Sequence, residues 1–134
     1  MTAVTAYTLD ELVTLARDYA VPDELPIDFE AKPYSRAPIY RDDVHEVVVI
    51  CFGPGQTSSV HDHQGSCCVV RVLEGKALEL FFDRTEDGDT VLAGHHYLSP
   101  GDISGLDETR IHQIANMHSV GTVLLNFYSP PFLV

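Results

Sequence analysis

The sequence predicts an all-β protein, an antiparallel sandwich or barrel preceded by one short helix. Apolar and β-branched runs follow one another from residue 44 to residue 128, and turn signals separate them at close intervals. This rhythm is typical of antiparallel sheets, in which short turns join short strands. The chain has 134 residues, enough to bury a core without disulfides, and we expect a single domain over residues 1–134.

The helix is predicted within residues 1–22. Thr8 and Glu11 have the spacing of a capping box, and Val21-Pro22 is expected to end the helical segment. An apolar stripe at helical spacing predicts that this helix packs against a sheet. The stripe consists of Leu9, Leu12, Val13, Ala16 and Tyr19.

An extended proline-rich segment, residues 22–38, here called the strap, and six strands are predicted after the helix. Four prolines interrupt the segment from Pro22 to Pro38, which is therefore expected to be extended, with short edge strands. The barrel itself is expected over residues 34–132. Its predicted strands are residues 44–52, 68–73, 77–82, 90–98, 111–115 and 122–128.

Composition excludes several classes of function. The 20 acidic residues outnumber the 8 Lys and Arg, and the resulting net charge of −12 disfavours binding to nucleic acids or anionic membranes. No apolar run approaches the roughly 18 residues that a membrane span requires, and the acidic start of the chain is unlike a secretion signal. The three cysteines do not form a disulfide framework. We expect a cytoplasmic protein, either a monomer or a homodimer.

The segment His61-Asp62-His63 predicts a metal site. If both histidines lie on one strand, their side chains share a face, because side chains alternate along a strand. His112, on a later predicted strand, is a candidate third ligand. Three neutral imidazoles leave part of a metal's coordination shell open for substrate. The alternative is a chance histidine pair on a solvated loop.

The spacing around these histidines resembles the cupins, small β-barrels that hold a metal in the barrel mouth. Five residues separate Gly55 from His61, four separate His63 from Cys68, and six separate Cys68 from Gly75. A second motif follows in Gly94, Pro100-Gly101, His112 and Asn116. The resemblance implies a double-stranded β-helix, or jelly-roll barrel. Many cupins have a glutamate ligand where this chain has Cys68.

Two separated segments make the chain resemble cysteine dioxygenase in particular, a non-haem iron enzyme among the thiol dioxygenases. These segments are residues 58–63, Ser-Ser-Val-His-Asp-His, and residues 128–132, Tyr-Ser-Pro-Pro-Phe. The resemblance covers residues 34–132. It implies that His61, His63 and His112 bind Fe(II), although a purified sample can carry Ni or Zn instead.

The same resemblance implies further site residues. Tyr34-Ser35-Arg36 matches a Tyr-Thr-Arg run in which the arginine pairs with the substrate carboxylate, so Arg36 and Tyr34 are expected at the substrate. Tyr128 matches an active-site tyrosine whose hydroxyl faces the substrate or oxygen. Cys68 matches a cysteine that forms a thioether with this tyrosine, and the alternative for Cys68 is a buried small hydrophobe.

Several residues depart from the family pattern or lack a motif. Leu124 and Asn126 stand where the family has a serine and a histidine that support the tyrosine; Asn126 retains the capacity to hydrogen-bond Tyr128. Cys67 is expected to face away from Cys68, and Cys51 to lie in the core. The remaining histidines, expected at the surface or the rim, are His45, His95, His96 and His118.

The predicted function is that of a thiol dioxygenase, which adds both atoms of O2 to a small thiol and yields a sulfinic acid. L-cysteine is the favoured substrate, because relatives that prefer 3-mercaptopropionate have glutamine at the position of Arg36. The alternatives are a dioxygenase for 3-mercaptopropionate or cysteamine, and a metal-containing cupin that binds a small ligand without catalysis. A structural zinc barrel is the weakest alternative, because such sites usually have four protein ligands.

Overall fold

The computed structural model describes residues 5–132 and contains one helix followed by eight strands. The part of the predicted N-terminal segment that precedes residue 5 lies outside the described residues. In chain order the elements are α1 (Leu9–Asp18), β1 (Ser35–Arg41), β2 (Glu46–Phe52), β3 (Cys67–Glu74), β4 (Ala77–Arg84), β5 (Thr90–Leu98), β6 (Ile103–Leu106), β7 (Ile111–Ala115) and β8 (Thr122–Ser129).

The strands form two antiparallel sheets that face each other. One sheet has the order β1-β2-β8-β3-β6, and the other has the order β5-β4-β7. The inward side chains of the larger sheet meet Ala77, Leu98 and Ile114 of the smaller sheet in one apolar cluster. The outward side chains of the larger sheet form a second cluster with α1 and the strap. Both faces of the larger sheet are therefore covered, which explains why β2 and β8 are buried along their whole length.

The helix begins where the capping box predicts. The backbone N–H of Glu11 donates to the Thr8 hydroxyl, and the backbone N–H of Thr8 donates to the Glu11 carboxylate. This exchange satisfies donors that the first turn of a helix leaves free. Leu12 and Ala16 are fully buried against the sheet.

One strand agrees with the edge strands expected in the strap, and one strand was not predicted. β1 lies within the proline-rich strap, as an edge strand paired with β2. β6 was not predicted, because its four residues include Ser104 and Gly105, which carry little strand signal. A side chain at Gly105 would approach Val13 of α1 to 3.2 Å, so the glycine permits close packing of the helix on this strand.

Among residues 5–132, no helix has the length and apolar character that a bilayer span requires.

Candidate metal centre and substrate pocket

His61 and His63 lie in the loop between β2 and β3, so the expectation that both occupy one strand was wrong. His61 forms a single bridge with His112 of β7, in which each backbone N–H donates to the other carbonyl at 3.0 and 2.9 Å. The alternation of side chains along a strand therefore does not explain how His61 and His63 come to lie side by side. The bridge fixes His61 against β7, and the turn that follows His63 directs the chain back into the barrel.

The three histidines nevertheless converge. Their candidate ligand nitrogens all lie within 4.8 Å of one another, and Nε2 of His63 is 3.2 Å from Nε2 of His112. His63 and His112 are almost fully buried. Nδ1 of His63 is also buried, without a hydrogen-bond partner among the described residues. Imidazole nitrogens that lie this close together in a buried site suit a shared cation better than an apolar core.

The surroundings of His61 and His63 disfavour their protonation. Burial lowers the pKa of His63 to about 3, and the neighbouring His112 and His61 add to this effect. Burial and His112 also lower the pKa of His61. Neutral imidazole is the form that binds metals, so the donor set fits a divalent transition metal.

Hydrogen bonds on the far side of the rings orient two of the histidines. Nδ1 of His61 lies 2.7 Å from the carbonyl oxygen of Ser59, and Nδ1 of His112 lies 2.9 Å from Oε2 of Glu79. A proton held on Nδ1 leaves Nε2 with a free lone pair. Both rings therefore present Nε2 to the cluster.

Glu79 is a functional candidate that the sequence analysis did not identify. It is fully buried on β4, and its Oε1 lies 2.6 Å from the Ser104 hydroxyl and 2.5 Å from Nε2 of His96. Burial alone would raise the pKa of Glu79, but the hydrogen bonds from His112, Ser104 and His96 outweigh it and hold the pKa below its ordinary value. The sequence signal that could have identified Glu79 is its position among the apolar residues of the predicted strand 77–82.

A pocket of about 180 Å³ opens beside the histidines. The apolar part of its wall is formed by Ile50, Phe52 and Leu124. The loop between β2 and β3 contributes Ser58, Ser59, Asp62 and Gln64. The pocket also contains every residue that the sequence placed at the substrate. These residues are Tyr34, Arg36 and Tyr128.

Tyr128 stands between the histidines and the arginine. Its ring centroid is 5.6 Å from that of His63 and 5.7 Å from the Arg36 guanidinium carbon. The Asn126 amide donates to the Tyr128 hydroxyl at 2.9 Å, as expected from the sequence. Burial and the nearby Cys68 raise the pKa of Tyr128, and the opposing effects of Asn126 and Arg36 are smaller. The hydroxyl therefore remains protonated and available as a donor.

Arg36 enters the pocket from β1. Its side chain is 24% exposed, and Nη2 lies 3.7 Å from Oε1 of the buried Glu46 on β2. Tyr34 packs against the core, with its ring centroid 4.9 Å from that of Phe52. The strap thus supplies a cationic group and an aromatic wall to the same cavity.

Cys68 is fully buried and lies opposite Tyr128 in the ladder between β3 and β8. Burial raises the pKa of the Cys68 thiol well above its ordinary value, with Glu79 and Cys67 adding to the effect. The thioether between Cys68 and Tyr128 stays a prediction, which a loss of two hydrogens in peptide mass spectra would verify. Cys67 belongs to the outward face, and Cys51 is buried in the core, both as expected.

The other histidines divide into three cases. His95 and His118 are exposed, as expected. His45 is buried, so its expected surface position was wrong: it packs edge-on against Tyr7 at the end of the sheet. His96 is 44% exposed and also contacts Glu79, which the sequence did not indicate.

Comparisons with known proteins agree with this geometry. The family described as Cysteine dioxygenase type I matches residues 25–134. Cysteine dioxygenase type 1 of Rattus norvegicus is 24% identical over 93% of this chain and 76% of its own length. The Danio rerio enzyme of the same name is 32% identical over 64% of this chain and 45% of its own length.

Solved structures show the fold. A crystal structure of a Thermus thermophilus protein matches with a TM-score of 0.66 at 20% identity, covering 78% of this chain and 90% of that one. An rmlc-like cupin protein from Desulfovibrio desulfuricans matches with a TM-score of 0.61 at 17% identity, and the match covers 84% of this chain and 97% of that chain. The expected cupin barrel with one short helix is confirmed.

Proposed function

The chain belongs to the cysteine dioxygenase type I family and is a thiol dioxygenase, and from this premise we propose that it oxidises L-cysteine to cysteine sulfinate. The proposal includes Fe(II) as the metal and His61, His63 and His112 as its ligands. One observation carries it: an arginine and a protonated tyrosine share one pocket with His61 and His112, and His63 lies beside these two histidines.

The histidines suit ferrous iron because their ligand nitrogens lie close together and two of them, His61 and His112, face the pocket. Nitrogen ligands with open positions are typical of metals that must also bind substrate. Bound iron supplies the redox chemistry by which both oxygen atoms of O2 reach the thiol sulfur. The protein supplies binding, orientation and a dry environment.

Arg36 orients the substrate through its carboxylate. The guanidinium is planar and always charged, so it can donate two parallel hydrogen bonds to a carboxylate. Arg36, His61 and His112 line the same pocket, so a bound thiol can direct its carboxylate to Arg36 and its sulfur to the histidines. This arrangement selects small thiols that carry a carboxylate.

Tyr128 provides a hydrogen-bond donor at the reacting end of the substrate. Burial keeps the hydroxyl protonated, and the hydrogen bond from Asn126 fixes its position. Phe132 covers the tyrosine, with ring centroids 5.3 Å apart, and excludes water from that side. A fixed donor in a dry pocket stabilises developing charge more strongly than water does.

Oxygen consumption by iron-reconstituted protein tests the proposal. We expect uptake with L-cysteine, and we expect Arg36→Gln to raise its KM by at least about tenfold, since a charge-assisted hydrogen bond is worth about 1.5–3 kcal/mol. Arg41→Gln is the matched control, because Arg41 lies on the same strand but is exposed.

The outcomes separate the competing functions. Faster turnover of 3-mercaptopropionate or cysteamine than of cysteine would identify a different thiol substrate. Bound metal without oxygen uptake from any of the three thiols would instead identify a cupin that binds a ligand without catalysis. An unchanged KM for cysteine in Arg36→Gln would show that Arg36 does not bind the carboxylate.

A further inference from the structure

A buried acidic residue lies behind Arg36 and has no place in the proposed mechanism. Glu46 is the first residue of β2 and is only 2% exposed. The same inward face of β2 otherwise carries Val48, Ile50 and Phe52. A carboxylate in such apolar surroundings is costly unless another group compensates it.

Arg36 is the group that compensates Glu46, but the pair is not a closed salt bridge. Nη2 of Arg36 and Oε1 of Glu46 are 3.7 Å apart, too far for a hydrogen bond, and neither atom has a hydrogen-bond partner among the described residues. The guanidinium therefore keeps free donors. The guanidinium can donate hydrogen bonds to a substrate carboxylate while it still interacts electrostatically with the Glu46 carboxylate.

Glu46 is placed to act on the substrate only through Arg36. Arg36 lines the pocket, whereas Glu46 does not. In the sheet, Glu46 pairs with Tyr128 of β8, over whose ring the guanidinium lies. The acidic residue that does line the pocket is Asp62. It lies on the rim, where Arg84 is 3.7 Å from its carboxylate.

We propose that Glu46 is a positioning and specificity-determining residue, which acts on the substrate through Arg36 by offsetting part of the guanidinium charge. This inference rests on the proposed function, because it assumes that Arg36 receives the substrate carboxylate. Opposite charges at this separation interact strongly in a partly desolvated site. Glu46 therefore weakens the attraction of Arg36 for a carboxylate. It reduces the preference of the site for thiols that carry a carboxylate over cysteamine, which carries only an amine.

Substituting Glu46→Gln tests this role, since it removes the charge and keeps the shape. We expect the KM values for L-cysteine and 3-mercaptopropionate to fall by at least about tenfold, because the substitution removes the repulsion between the Glu46 carboxylate and the substrate carboxylate. The kcat should change less than KM. The KM for cysteamine, which has no carboxylate, should stay the same or rise.

Three further variants isolate the cause. Glu46→Asp withdraws the carboxylate by one methylene, so its KM for carboxylate thiols should lie between wild type and Glu46→Gln. In an Arg36→Gln background, where no guanidinium holds the carboxylate near Glu46, Glu46→Gln should change KM less than it does in the wild type. Glu24→Gln removes one exposed acidic charge and should leave KM unchanged, which excludes an effect of net charge.

A KM for L-cysteine that stays constant or rises in Glu46→Gln would overturn the inference. If that variant does not fold, as judged by circular dichroism, an unchanged KM in Glu46→Asp would overturn it equally. Calorimetric binding of 3-mercaptopropionate to iron-loaded protein without oxygen separates the two proposals. If no thiol is oxidised but Glu46→Gln binds this thiol more tightly, the inference stands and the proposed function fails.

Discussion

Glu79 links the metal cluster to the surface of the barrel. Its carboxylate accepts from His112 on one side and contacts Ser104 and His96 on the other. Such a carboxylate fixes the orientation of a histidine ring and raises its basicity as a ligand. His96 is half-exposed, so one end of this chain of hydrogen bonds reaches solvent. The buried contact orients the His112 ring, and the partly exposed His96 helps to hold the Glu79 carboxylate.

Replacing Glu79 with glutamine should weaken metal binding by about 10- to 100-fold, the usual effect of losing a partner of this kind. The loss arises because an amide holds the Nδ1 proton of His112 less strongly than a carboxylate does. Competition between the protein and a chelator for ferrous iron measures the affinity.

Glu74→Gln is the matched control, because Glu74 is an exposed acid at the end of β3. Equal metal affinities in the Glu79 variant and in this control would show that Glu79 only fills space.

At the scale of elements, α1 serves as a cover for the larger sheet. It packs on β3, β6 and β8, and Leu12 and Ala16 are its buried residues. The Arg71 guanidinium reaches across from β3 and donates to the carbonyl oxygens of Ala16 and Tyr19, at 3.1 and 2.9 Å. A cation at this end also interacts favourably with the helix dipole. The helix is thus capped at both ends.

Thr8→Ala should lower the free energy of unfolding by about 1 kcal/mol, because it removes the acceptor of the N-terminal cap. Thr14→Ala, at an exposed position within α1, should cause no loss, since alanine is the better helix former. Urea denaturation of both variants measures the difference. Loss of thiol oxidation in correctly folded Thr8→Ala would contradict the view that the helix only covers the sheet.

The whole molecule brings together site residues that are far apart in the chain. The strap supplies Arg36, the loop after β2 supplies His61 and His63, and β7 and β8 supply His112 and Tyr128. An unfolded chain cannot hold these groups together. A metal that binds them therefore binds the folded state preferentially and stabilises it.

Ferrous iron added under argon should raise the melting temperature, and a chelator should reverse the change. Free iron at a hundred times its Kd should stabilise the fold by about 2.7 kcal/mol. His63→Ala should abolish the shift, whereas His118→Ala, at an exposed position, should retain it. Scanning calorimetry provides the measurement. A shift that persists in His63→Ala would place the metal elsewhere.

Much of the fold and part of the site were predictable because the responsible interactions are local. The capping box lies within one turn of helix, and the bounds of β5 and β7 agree with the predicted strands. Motif spacing predicted that His61, His63 and His112 would meet, and they do. The same spacing did not predict the loop around His61, because a short polar segment can lie on a strand or in a turn.

The sequence by itself determined the class of fold and the family, and it indicated five of the residues that line the pocket, because these depend on residue pattern and motif spacing. Only the tertiary structure decided which buried acids pair with which partners. Glu79 lies diagonally from His112 in the ladder between β4 and β7. Glu46 lies opposite Arg41 in the ladder between β1 and β2, and the side chain of Arg36 reaches it from four residues along the ladder. Register depends on packing between distant segments, so charge compensation inside the barrel is a property of the assembled sheets.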